Sequence, residues 1–447
     1  MKIPEKAPDW IKILGDSLKQ IFGSQNLAAI NEFVAKIDQA DDYFYWDSFK
    51  YHAVPKEITI EQTWAYLKFT RQSKIVGTKL VSKNPGRFGY WITDNILQKL
   101  SFIDKHAAGQ VLIGDSAIHK SEQKRYLINS LMEEAIASSQ LEGAATTRKV
   151  AKEMLRSGRK PKNHAEKMIY NNFQTIMKIK DLVKKPLTEE LLFELHRSMT
   201  KETLENPSMC GRFRTMEDEP INIKDREGHV LYEPPEPDKI AFMVKILCDY
   251  ANETTEERFT HPVIKAIDLH FYLSYIHPFN DGNGRTARAL FYWYMLKSGY
   301  WMFEYLTISK IFLEAPSQYA KAFLYTEIDD LDLTYFISFH LKVVTQAINK
   351  LLQYIKLKQE EVNETTHWLK KHTDLNVRQK ESVRYILEHS DEFYTINIHQ
   401  NIYSVTYETA RRDLLDLARK QLIVMIKKGR KFCFMASKNL SNKIKHL

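Results

Sequence analysis

The chain has 447 residues, of which 44% are hydrophobic and 12% aromatic, and a net charge of +9. That length is more than one compact core holds, so two to four domains are expected, and the composition argues against a disordered chain. Cys210, Cys248 and Cys433 stand too far apart for a metal-ligand motif and point to a reducing compartment without a disulfide framework. The opening has no signal-like apolar run and no later run could span a bilayer, so a soluble cytoplasmic protein is expected.

Residues 1–115 mix aromatic-rich pieces with an extended-looking patch, "RFGYWITDNI", and read as a separate N-terminal module. Residues 116–330 are dominated by helical periodicity. A helix over about 121–143 puts Leu127, Leu131, Ala135 and Ser138 on one face, with Gly143 ending it. Ile221 to Ile223 and Val230 to Tyr232 flank the turn-forming "KDREGH" and predict a hairpin. "HPVIKAIDLHFYLSYIHPF" predicts a helix with Pro262 in its first turn, and "NGRTARALFYWYMLKSG" another, closed by Gly299. Residues 331–372 read as a polar helical linker.

The last module, 373–447, begins its final helix at Thr406, with Thr409 in the first turn and Leu414, Leu417 and Leu422 as the apolar stripe. "LIVMI" and "FCF" then flank the turn "KKGRK". Helix followed by a two-stranded wing resembles a winged helix-turn-helix, with Tyr407 to Lys420 in the recognition position. From Ser404 to Leu447 there are eleven Lys/Arg and three Asp/Glu, 11 − 3 = +8, so nearly all the excess charge lies there. Arg411 and Arg412 suit phosphate contacts, while a protein-docking module and a solvated basic tail remain open readings.

The densest chemistry is "HPFNDGNGRTAR", residues 277 to 288. A helix ends at His277, a tight loop follows, and a second helix starts near Asn283. Its unpaired N–H groups point into the loop, which makes an anion site by geometry and dipole. Gly282 and Gly284 let the backbone approach a ligand. Arg285 and Arg288, three apart, share a face and suit phosphate oxygens. Asp281 supplies the hard oxygen that magnesium prefers, and His277 stands where it could take a hydroxyl proton. A calcium loop fails, since position six is Thr286 and position twelve Tyr292. A Walker A loop fails on spacing. His261, His270 and His277 lack a metal-ligand spacing, and His270 reads as a polar residue packed under the site.

This stretch resembles the signature of the Fic/DOC family, His-Pro-Phe-x-Asp-Gly-Asn-Gly-Arg-x-x-Arg, and matches every fixed position. "CGRFR" at 210 to 214 and the hairpin stand in the family's order before it. The resemblance covers roughly 120–330. It implies a mainly α protein: a Fic-type helical core with a β-hairpin flap, beside an N-terminal α/β-containing module and the C-terminal winged helix. It also implies transfer of AMP from ATP to a Ser, Thr or Tyr hydroxyl of a protein, and of the chain itself, releasing pyrophosphate. By that analogy His277 is the base and Asp281 holds Mg²⁺. Gly282, Asn283 and Gly284 form the anion hole, and Arg285 and Arg288 hold phosphates. Ile221, Asn222 and Ile223 belong to the flap that takes the target. The family's tyrosine pair under the adenine is half present, as Tyr319 followed by Ala320. "SSQLEG" fits the family's inhibitory pattern through Ser138, Glu142 and Gly143, with Glu142 reaching Arg288 and blocking the γ-phosphate seat.

The resemblance leaves rivals: a de-adenylylating hydrolase at the same site, or a nucleotide-sensing DNA-binding regulator. The expected partners are ATP and a protein substrate and no membrane, with DNA and a homodimer as further readings.

Overall fold

The computed structural model describes residues 3–108, 120–224, 227–253, 259–371, 374–388, 393–428 and 431–437. The boundary near 115, the turn residues Asp225 and Arg226, the wing tip at Gly429 and Arg430, and the basic end 438–447 lie outside the described residues. The N-terminal region contains α1 (Trp10–Asp16), α2 (Leu18–Ile21), α3 (Ser24–Asp38), α4 (Trp46–Phe49), α5 (Ile60–Gln72), β1 (Val76–Val81), β2 (Arg87–Tyr90) and α6 (Asp94–Ile103). There follow α7 (Lys120–Leu141), α8 (Arg148–Ser157), α9 (His164–Leu182), α10 (Glu189–Thr200), β3 (Ile223–Lys224), β4 (Val230–Tyr232) and α11 (Pro237–Asn252). Next come α12 (Pro262–Ile276), α13 (Asn283–Lys297), α14 (Ile308–Glu314), α15 (Pro316–Ile328) and α16 (Thr334–Lys371). The chain closes with α17 (Val377–Glu388), β5 (Tyr394–Thr395), α18 (Ile396–Tyr403), α19 (Tyr407–Arg419), β6 (Ile423–Lys428) and β7 (Lys431–Ala436).

Two compact units result: residues 1–110 with 129–349, and residues 111–128 with 350–447. In the first, α12 and α13 lie at the centre. Both are buried nearly all round, their polar and charged side chains included. Pro262 opens α12 at a position where its missing N–H costs nothing, and the His261 ring accepts from Val263 N–H.

Residues 1–110 group with 129–349 in one compact unit, and their polar and aromatic groups contact it. Tyr45 stacks on Tyr325 at 4.5 Å, buried Lys68 pairs with Asp329 at 2.9 Å, and Leu333 N–H donates to Gly89 O at 2.7 Å. Within the stretch 331–372, Thr334–Lys371 is one helix, and Tyr335, Phe336, Ile337, His340, Leu341, Val344 and Ile348 are buried, so its first part belongs to the core.

The second unit packs α17, α18 and α19 against the antiparallel sheet β5-β7-β6. Thr406 accepts from Thr409 N–H and caps α19, and Leu414, Leu417 and Leu422 are buried beneath it. Arg411 and Arg412 are exposed. His399, buried, sits between Ser382 at 2.9 Å and Asp413 at 3.2 Å and helps tie the three helices together.

Candidate active site

The site forms where α12 gives way to α13. His277 takes a left-handed conformation, φ 49°, and its N–H donates to Leu273 O at 3.1 Å, which stops α12. Such a conformation costs a non-glycine residue about 1 kcal/mol. Arg214 holds it there: its Nε donates to His277 O at 2.9 Å, its backbone N–H donates to Pro278 O at 2.9 Å, and a second guanidinium nitrogen donates to Pro235 O.

The loop beyond is pinned from two sides. The Asn283 side chain accepts from Phe279 N–H at 2.9 Å and donates to Phe279 O at 2.7 Å. The His196 ring stacks on Phe279 at 3.9 Å and 7°. Gly211 N–H donates to His196 Nδ1 at 3.1 Å, so Nε2 carries the hydrogen that goes to Asp281 O at 2.8 Å. Gly282 has φ 82°, and a Cβ there would lie 2.6 Å from Thr200, so only glycine fits.

This frame presents three groups to one space. His277 Nδ1 faces Ser274 O at 3.2 Å, a carbonyl that can only accept, so Nε2 keeps the lone pair. Burial pushes the imidazole's pKa down to about 4, against the Ser274 carbonyl and Glu142, so the ring is neutral at pH 7. Asp281 is half exposed; it accepts from Gly282 N–H at 2.6 Å and pairs with Arg285 at 3.2 Å. Arg285 is fully buried, donates to Met199 O at 3.1 Å, and its Nε has no partner among the described residues.

Arg288, one turn on, faces the end of α7. Its Nε donates to Ser138 Oγ at 2.9 Å, and Nη2 donates to Ser138 O and Glu142 Oε1, each at 2.8 Å. Burial opposes the charge of Glu142, but Arg288 and Arg285 outweigh it and hold the carboxyl below its ordinary range. A Cβ on Gly284 would meet Glu142 Oε1 at 2.1 Å, so this carboxylate lies against the first turn of α13, where the free N–H groups are. Glu142 itself stands one residue past the end of α7, and Gly143 turns the chain with φ 88°. Tyr319 lies flat on Phe312 at 4.3 Å and 9°, and its hydroxyl reaches His270 at 2.9 Å.

The hairpin is shorter than expected. Its strands are Ile223–Lys224 and Val230–Tyr232, paired Ile223 with Tyr232, so Ile221 and Asn222 precede the strand instead of forming it. Tyr232 anchors its base by donating to Tyr275 O at 2.9 Å.

Several functional residues left little trace in the sequence. Arg214 stands in the quoted "CGRFR", but His196 comes from a distant helix, and the Asn283 side chain serves the loop frame. Glu134, two turns before Glu142 on α7, is buried and accepts from Ser309 N–H at 2.9 Å and from the Ser309 hydroxyl. It fastens α7 onto the start of α14.

Residues 186–295 match the Fic/DOC family model, so this part of the chain is a Fic-type domain. Its relatives include protein adenylyltransferase Fic of Drosophila willistoni, 27% identical over 211 residues, which are 45% of this chain and 39% of that one. The same-named protein of Nematostella vectensis is 32% identical over 114 residues, 26% of this chain and 24% of that one. This chain thus spans well under half the length of these curated relatives. A solved Fic family protein from Desulfovibrio desulfuricans G20 shares the fold with a TM-score of 0.53 at 18% identity, covering 78% of this chain and 98% of that one. The fold is Fic-type and mainly helical, with small sheets. Among the described residues, no helix is long and apolar enough to cross a membrane.

Proposed function

We propose that this chain is an autoinhibited protein adenylyltransferase. Transfer forms a bond between a target Ser, Thr or Tyr oxygen and the α-phosphorus of ATP. The bond from that phosphorus to the bridging oxygen breaks, and pyrophosphate leaves. His277 Nε2 takes the hydroxyl proton, which its neutral state and fixed tautomer equip it to do. The first turn of α13 at Asn283 and Gly284, with Arg285 and Arg288, receives the phosphate charge. Asp281 would hold Mg²⁺: its half-exposed carboxylate is a single hard-oxygen ligand, which suits an ion that keeps waters and phosphate oxygens as its other ligands. Bound there, the ion would neutralise phosphate charge. The flap of β3 and β4 would take the target chain by adding a strand.

The observation that carries autoinhibition is the Glu142–Arg288 pair of 2.8 Å, with its carboxylate against Gly284. A γ-phosphate cannot share a site with that charge, and Arg288 cannot serve both. The test is ATP labelled in the adenine or at the γ-phosphate, given with Mg²⁺ to wild type, Glu142→Gly and Glu142→Gly/His277→Ala. Adenine label on protein should rise on the order of 100-fold in Glu142→Gly. It should fall back about 10²–10⁴-fold when His277 is also removed. Label from the γ-phosphate would overturn the reading.

A de-adenylylating hydrolase at the same site is the second reading, favoured by the Glu142 carboxylate lying against Gly284, at the start of the helix that follows the His277 loop, where it could hold a water. For the second unit we read a winged helix-turn-helix. Exposed Arg411 and Arg412 on α19 support DNA as its partner, and salt-dependent binding of a labelled duplex tests it.

A further inference from the structure

We infer that the cleft beside β4 is a subsite for a lysine or arginine side chain of the target protein, with Glu327 as its counter-charge. The inference rests on the adenylyltransferase reading above and narrows the targets which that reading admits.

β3 and β4 form a two-stranded sheet, so one edge of β4 pairs with no strand among the described residues. Val230, Leu231, Tyr232 and Glu233, four successive residues, all line a cleft of about 580 Å³. A cover over one face of a strand meets alternate residues, whereas a space along its edge meets successive ones. The cleft therefore follows the flap's edge. Its far wall comes from residues 82–85, between β1 and β2, and from the end of α15. That wall is held in place. Lys83 N–H donates to the Tyr275 hydroxyl at 2.9 Å, and Lys239 donates to Lys83 O at 3.1 Å. The Lys83 ammonium lies 4.7 Å over the Tyr232 ring and donates to Glu233 O. Tyr232 in turn donates to Tyr275 O, two residues before His277. A target chain that adds to this edge while offering a hydroxyl to His277 would lay its neighbouring side chains along the cleft.

Glu327 lines the cleft from the last turn of α15, where the helix dipole disfavours an anion. Its carboxyl takes no hydrogen bond and no ion pair among the described residues; the charge that acts on it is that of Lys83, which is already spent on Glu233 O and the Tyr232 ring. Burial outweighs that charge and raises the carboxyl's pKa to about 8. A carboxyl so placed could simply stay protonated as a tolerated misfit. The cleft separates the two cases, because a misfit in a packed core has no room for a counter-charge and this one has. An arriving ammonium or guanidinium would displace the proton and form a charge-assisted pair, and exposed Glu233 adds a second negative group at the same cleft. Perturbed carboxyls in clefts are where binding sites concentrate.

The test uses the full chain in the Glu142→Gly background, with Mg²⁺ and ATP labelled in the adenine. The probes are short fluorescent peptides of alternating Val and Gln with one Tyr acceptor, in which each other position carries Lys, norleucine or Glu in turn. Label transfer and anisotropy are both read as the ratio of the Lys peptide to the norleucine peptide, so that differences in overall activity cancel. At one position Lys should be favoured about tenfold. Glu327→Gln should erase that preference while unfolding at the same temperature or higher, and Glu327→Lys should turn the preference to Glu. Labelled peptides with no Lys preference, or a preference kept in Glu327→Gln, would overturn the subsite and leave the adenylyltransferase reading standing. A Glu327-dependent preference in anisotropy, with no adenine label on any peptide or on the chain, would refute that reading and leave the subsite. Neither binding nor label would overturn both.

Discussion

Arg285 and Arg288 stand one turn apart on α13, and their surroundings differ in kind. Arg285 is fully buried in the scaffold, donating to Met199 O from α10, a backbone acceptor fixed by the fold, and to the Asp281 carboxylate of the loop. Arg288 is enclosed largely by the end of α7, a segment whose contacts are polar and whose last carboxylate is one-quarter exposed. The same side chain therefore supports the frame at one position and receives a removable carboxylate at the other. What distinguishes them is which element supplies the acceptors.

That contrast can be broken by experiment. Arg285→Met keeps volume but strands Met199 O, and should cost about 1–3 kcal/mol of stability whether or not Glu142 is present. Arg288→Met should cost clearly less, since Glu142 can turn to water; equal losses in urea unfolding would erase the distinction. Glu134→Gln should sharpen it. Losing the charge that holds Ser309 should cost about 1–2 kcal/mol and raise adenine-label transfer in an otherwise wild-type chain. Lower stability without raised transfer would mean that α7 is not held inhibitory through this contact.

A further effect concerns pH. His277 and His196 are both held neutral by burial, with pKa values of about 4 against an ordinary 6.5. The unfolded chain therefore binds protons that the folded chain refuses. The stability from this neutrality is complete above pH 6.5 and is lost as pH falls toward 4. Denaturant midpoints should drop across that window, and less so in His196→Asn. A flat profile would refute the buried neutral pair.

The centre of the molecule was the most legible part. Two helices flanked by Pro262, Pro278 and Gly299 appear almost to the residue, because their caps and breakers are local. The motif residues His277, Asp281, Arg285 and Arg288 surround one loop because four of them lie within twelve positions of one another. The packing of the N-terminal residues was hidden for the opposite reason. Tyr45, Lys68 and Gly89 meet partners more than two hundred residues away, and no periodicity in their own segment announces it. The half-buried face of α16 was hidden by its polar second half, and the flap strand was placed two residues early because Ile221 and Ile223 alternate as a strand would.

By itself the sequence determined the chemistry on offer: a base, a hard oxygen, two guanidiniums and a helix start, all within the reach of one loop, with a carboxylate at helical spacing upstream. Tertiary structure decided what each group does. It set the His277 tautomer through Ser274, gave Asn283 to the loop frame, and brought Glu142 to Gly284 from 142 positions away in the chain. Local propensity acts over a few residues, whereas a proton's position or a charge's partner depends on whichever element packs against it.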